Sequence, residues 1–64
     1  MYTSDWHHRP GSPTYYRVTP VGRTEVTRYG RRWIVLHLPR DPGAPTVSRW
    51  FDRFRDAEPF ALSL

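Results

Sequence analysis

Sixty-four residues allow one domain at most, and a chain of this size buries only about 60% of the surface its unfolded form exposes. It contains no cysteine, which excludes disulfides and thiolate metal sites, and no run approaches the roughly 20 apolar residues needed to cross a bilayer. The net charge is +4 and the pI about 10.4, with all ten basic residues arginine and no Lys, Asn or Gln. That usage fits the codon bias of a GC-rich bacterium.

Residues Met1 to Thr14 are polar and interrupted by Pro10, Gly11 and Pro13. They read as a flexible arm, 1–14, ahead of a single small domain at 15–64. The arm has neither the basic start nor the apolar stretch of a signal peptide, so a cytoplasmic location is the default expectation. Trp6 is expected to tuck onto the domain, because a large apolar ring is costly in water. Contact with a partner is its other use.

Tyr15 to Thr19 is rich in β-formers and stops at Pro20, which suits an edge strand. Val21-Gly22-Arg23 reads as a turn. Thr24 to Tyr29 is the next strand, alternating Thr24, Val26 and Arg28 with Glu25, Thr27 and Tyr29. Gly30 supplies a tight turn into Arg32 to Leu38, the longest apolar run, and the two strands are expected to form a hairpin. Residues 39–46, PRDPGAPT, form a loop, and Val47 to Phe51 a further strand. From Asp52 onward the period becomes helical, with Phe54, Ala57, Ala61 and Leu64 on one side. Asp52 or Asp56 could cap that helix. Pro59 either interrupts it or lies in its first turn, and a helix with a distorted start accommodates the residue. The expected fold is α+β: a three- to four-stranded antiparallel sheet with one C-terminal helix packed on one face, the fourth strand depending on whether Tyr15 to Thr19 pairs.

Gly30 with Trp33, the loop Asp41-Pro42-Gly43, and the stretch from Phe51 through Ala57 to Glu58 carry a resemblance. The pattern is similar to the three-strand-plus-helix domain at the N-terminus of phage and transposon tyrosine integrases, called AP2-like or arm-binding. It covers about two thirds of the chain through short motifs. What the resemblance implies is a DNA-binding domain that lays its sheet against the groove. Arg53 stands where that family usually has a capping Thr, Pro59 interrupts the helix, and no recombinase catalytic domain accompanies the motifs. The implied role is that of a free-standing accessory or regulatory binder of phage or mobile-element type.

The placement of charge supports an anionic partner. Between Tyr15 and Arg40 there are six arginines and one acid, Glu25, whereas Asp41 to Leu64 has three arginines and four acids. Arg28, Arg31 and Arg32 with Tyr29 form the best candidate contact, since Arg neutralises phosphates and interleaved rings can stack bases. Arg17, Arg23 and Arg49 extend the patch if their strands pair beside the hairpin. Plain surface charge is the competing use of all these arginines, and core burial is the expectation for Trp33. Arg53 and Arg55, flanked by acids, suit local ion pairing. The adjacent His7 and His8 lack the converging spacing and partners of a metal site, and His37 is expected to be a hydrogen-bonded, semi-buried ring. No nucleophile elbow, phosphate-cradling loop or spaced carboxylate pair occurs, so neither catalysis nor a cofactor is expected.

The strand 32–38 is apolar on both sides. Trp33, Val35 and His37 point one way, and Arg32, Ile34, Leu36 and Leu38 the other. Such a strand is usually covered on both faces. The N-terminal segment, a second copy or a different protein could cover the second face. The leading expectation is a small basic nucleic-acid binder acting on duplex DNA. The alternative is a protein-interaction module, such as a phage-encoded inhibitor, a virion component, a small subunit or a homodimer. Its interface would be Ile34, Leu36, Leu38 and Trp50.

Overall fold

A computed structural model describes residues 6–64. Its strands are β1 (His7–His8), β2 (Thr14–Thr19), β3 (Gly22–Tyr29), β4 (Arg32–Pro39) and β5 (Val47–Phe51), followed by the helix α1 (Phe54–Leu62). All five strands form one antiparallel sheet in the order β1-β2-β3-β4-β5. The α+β class and the helix on one face are as expected. The expected count of three to four strands is corrected to five, because Tyr15 to Thr19 does pair and His7–His8 adds an edge strand beyond it.

Of the expected arm, residues 1–5 lie outside the described residues. The remainder is bound to the domain. Pro10 and Gly11 occupy the centre of a turn closed by Ser12 N donating to the Arg9 carbonyl at 3.0 Å, with Gly11 at φ 83°. Pro followed by a positive-φ glycine is the chemistry of a type II turn. The turn brings His7 opposite Tyr16 and His8 opposite Tyr15, and each pair stacks, at 5.3 and 4.3 Å between ring centroids. Trp6 is partly buried against the core.

The β3–β4 hairpin has the two-residue loop Gly30-Arg31 between the paired residues Tyr29 and Arg32. Gly30 has φ 66° and Arg31 does not have a positive φ, which matches a type II′ turn with glycine first. The register sets Val26 against Val35 and Thr24 against His37. Val26, Val35, Ala57 and Ala61 are fully buried, and Trp6, Trp33, Phe51, Phe54, Phe60 and Leu64 pack around them. The two alanines put a nearly smooth helix surface on the valine pair, so helix and sheet approach closely. Rings fill the margins, with Trp33 against Phe54 at 5.0 Å and Phe51 against Phe60 at 5.5 Å. His37 is buried, and its Nδ1 lies 2.9 Å from the Thr24 hydroxyl. The helix stops short of that end of the sheet, leaving an open apolar hollow of about 650 Å³ lined in part by Val21, His37, Pro39 and Val47.

The helix starts differently from either capping expectation. Its N-cap is Arg53, in extended conformation at φ −136° and ψ 143°, and no side chain caps it. Asp56 sits inside the first turn, where its charge complements the positive helix end. Pro59 is exposed and inside the helix at its sixth position, so the Arg55 carbonyl lacks its usual N–H donor.

Of the glycines, Gly22 leaves the least room for a side chain. It has φ 149°, and a Cβ there would collide with the Leu38 carbonyl oxygen and lie 2.9 Å from Pro39 Cα. Gly22→Ala is expected to destabilise the fold by roughly 2–3 kcal/mol, lowering Tm by on the order of 10 °C. Thermal unfolding followed by circular dichroism measures it, and an unchanged Tm would contradict the packing described.

Candidate nucleic-acid interface

Cross-strand partners share a face, so the register sorts every candidate residue onto one side of the sheet or the other. The side away from α1 carries four rows. At the hairpin tip lie Tyr29 and Arg32. Below them run Thr14, Thr27, Ile34 and Trp50, then His7, Tyr16, Glu25, Leu36 and Ser48, and last Val18, Arg23 and Leu38. No described element packs over these rows. The described part of the N-terminal segment, one of the three expected covers, joins the sheet edgewise as β1 and β2 and does not lie over the face. Ile34 and Leu36 are half-buried by their neighbours in the sheet, while Leu38, Trp50 and Val18 are 40%, 44% and 66% exposed.

Polarity on β3 decides which face the helix takes. Thr24 and Val26 meet the helix side, whereas Arg23, Glu25 and Thr27 occupy the open side. The apolar residues of β4 on the open side are therefore flanked by charged and hydroxyl groups rather than by more core.

Two arginine–ring stacks mark the ends of this face. The Arg32 guanidinium lies 5.1 Å from the Trp50 ring centroid, and Tyr29 meets Trp50 edge-on at 6.1 Å. At the far end Arg23 lies 4.2 Å from the Tyr16 centroid while its Nε donates to Glu25 at 2.8 Å. Between the two ends is about 20 Å of strand. A polar hollow of about 330 Å³ adjoins the Arg23 end, lined by Arg9, Ser12, Thr14, Tyr16, Arg23 and Glu25.

The fold thus gathers Arg28, Tyr29, Arg31 and Arg32 at the hairpin tip and holds Arg23 at the opposite end of the open face. It does not bring Arg17 or Arg49 to them. Both face the helix side, on β2 and β5, about 14 Å apart across the sheet. Arg49 lies over the rings of Phe51 and Phe60, at 5.3 and 5.2 Å. Arg28 also starts from the helix side, but it is exposed at the end of its strand, where its Nε donates to the Gly30 carbonyl at 3.2 Å. Asp52 approaches Arg32 at 3.8 Å, and both groups are solvated, so the pair contributes little. Arg31 makes no ion pair among the described residues.

Ile34, Leu36, Leu38 and Trp50, the alternative interface, do share one uncovered face. Tyr16, Val18 and Arg9 belong to the same surface and were not expected there. The doubled pairs His7-His8 and Tyr15-Tyr16 around Pro10-Gly11 were the available signal for the first strand pair. Among the described residues, no group of three or more His, Cys, Asp or Glu side chains could hold a metal ion, and no helix is long and apolar enough to cross a membrane.

No protein-family model matches the chain, and no curated protein or solved structure matches it.

The two tryptophans at the ends of a single cross-strand diagonal serve opposite faces, and their truncation should differ accordingly. Trp33→Ala is expected to cost roughly 2–4 kcal/mol and Trp50→Ala less than about 1 kcal/mol, read from denaturant midpoints. Equal losses would place Trp50 in the core.

Proposed function

We propose that this chain is a small, non-catalytic nucleic-acid-binding protein whose phosphate contact is the β3–β4 hairpin tip. The observation that carries this reading is the clustering of Arg28, Arg31 and Arg32 with exposed Tyr29 around a two-residue turn. Three guanidiniums on a projecting, rigid hairpin can meet successive phosphates without disturbing the core, and Arg adds planar, bidentate geometry. Arg23 provides a cationic group at the other end of the open face, and Arg9 one beside its β1–β2 edge. The excess of arginine over acids in residues 15–40 attracts the same partner at longer range.

DNA is the nucleic acid to which the integrase-domain resemblance points, and β3, β4, β5 and α1 follow one another in the order it implies. An accessory or regulatory role of phage or mobile-element type belongs to the same proposal. Binding to duplex DNA across a salt series is the test. Each neutralised phosphate contributes about 0.9 to the log–log slope, so Arg31→Ala with Arg32→Ala should reduce its magnitude by about 1.8. Absence of binding to both duplex and single-stranded DNA at low salt would remove the reading.

A second reading has its own observation, the uncovered row of Ile34, Leu36 and Leu38 beside Trp50. Aromatic, aliphatic and Arg side chains on one flat surface also suit a protein contact, with a second copy of this chain the simplest occupant. Under this reading sedimentation reports a dimer indifferent to salt, and Leu36→Asp returns it to monomer. A monomer at every accessible concentration counts against the homodimer.

A further inference from the structure

We propose that the open sheet face takes unpaired bases of a single-stranded nucleic acid, stacked at the Tyr29–Trp50–Arg32 cluster, with backbone phosphates held by Arg28 and Arg31 at one end and Arg23 at the other. This deepens the nucleic-acid reading and rests on it.

The chemistry of the face separates single strands from duplex. Reading a duplex groove requires donors and acceptors aimed at base edges. The β4 strip of this face, Ile34, Leu36 and Leu38, offers none, and the polar groups beside it are Thr27 and the Arg23–Glu25 pair on β3 and Ser48 on β5. Apolar side chains on a flat sheet suit the faces of bases and the carbon skeleton of sugars, which a duplex keeps stacked or turned away. Unpaired bases expose those faces, and recognition of single strands relies on aromatic rings and guanidinium planes beneath them.

The cluster supplies both kinds of plane. Tyr29 is 71% exposed and Trp50 44%, and the two rings meet nearly perpendicular rather than stacked face to face. Arg32 lies over Trp50, so a base can stack on the outer side of the guanidinium or replace it on the indole. The far end repeats the arrangement with Arg23 over Tyr16, next to the polar hollow lined by Arg9 and Ser12. Cations at both ends of a face about 20 Å long, with an aliphatic strip along β4 between them, match a chain with charge along its backbone and π-faces along its bases. A protein partner would gain from the apolar β4 strip but would have to desolvate the arginines at both ends.

The test compares oligothymidylate, a mixed-sequence single strand and the corresponding duplex, each titrated at the same low salt. Tighter binding of the single strands is expected, with quenching of tryptophan emission that Trp50→Ala abolishes. Trp50→Ala and Tyr29→Ala should each weaken single-strand binding by about 5- to 100-fold, and Trp50→Ala should leave duplex binding within about twofold. Both positions are exposed, and the circular dichroism of each variant checks that its fold persists. Duplex binding as tight as single-strand binding, with neither variant weakening the latter, overturns the stacking proposal and leaves the hairpin-tip reading standing. Failure of all three nucleic acids to bind removes both. A salt-independent dimer in that case assigns the face to a second copy.

Discussion

Val26 and Val35 face each other across the two central strands, and everything else in the molecule is arranged by the side on which they meet. Among the described residues they are the largest fully buried side chains, and of the apolar ones only Ala57 and Ala61 share complete burial. A nine-residue helix can cover one face of a five-stranded sheet, not two. The valine pair draws it to the face of Trp33 and His37, and the opposite face is left to solvent or to a partner. Because side chains alternate strictly, a slip of one residue in the β3–β4 register would exchange the two faces entirely. The glycine-led turn at Gly30 and the backbone contact at Gly22 hold that register from both ends of the hairpin.

The open face follows from this constraint. Residues that a larger domain would bury under a second helix remain accessible here. Their neighbours are those of a surface: Arg23 paired to Glu25, Thr14 bonded to Thr27 at 3.0 Å, and Arg32 over Trp50. The combination of an aliphatic strip on β4, polar β3 residues beside it and arginine–ring stacks at the ends distinguishes this surface from a core cut open.

Much of this arrangement was legible in the sequence. The strands β3 to β5 were readable because alternation and turn residues agree over stretches long enough to count. Val47–Phe51 was located without error, and the hairpin was signalled by Gly30. Which side of β4 is covered could not be read from β4, since Ile34 and Leu36 are as apolar as Trp33 and Val35. The answer lay one strand away, in Val26 against Glu25 and Thr27. The first strand escaped because it has two residues and is held by ring stacking across a turn, an interaction without periodicity. The helix start was misplaced because capping side chains are the usual signal, and the chain enters this helix through Arg53 without one. The candidate arginines were identified by type, but face assignment separates Arg17 and Arg49 from the tip cluster, a division that depends on register and not on composition.

The order in which the strands lie has a kinetic consequence. Each strand pairs with its neighbour in sequence, and the loops between successive elements contain five, two, two, seven and two residues. No pairing waits for a distant segment, so the chain entropy lost in closing each contact is small. Sheets usually fold slowly because their contacts are remote in sequence, and this one avoids that penalty through its simple back-and-forth path. The central hairpin can close first, with the outer strands and the helix added to it one at a time. The edge strand β1, two residues long and paired to β2 alone, has the fewest backbone contacts to hold it against local opening.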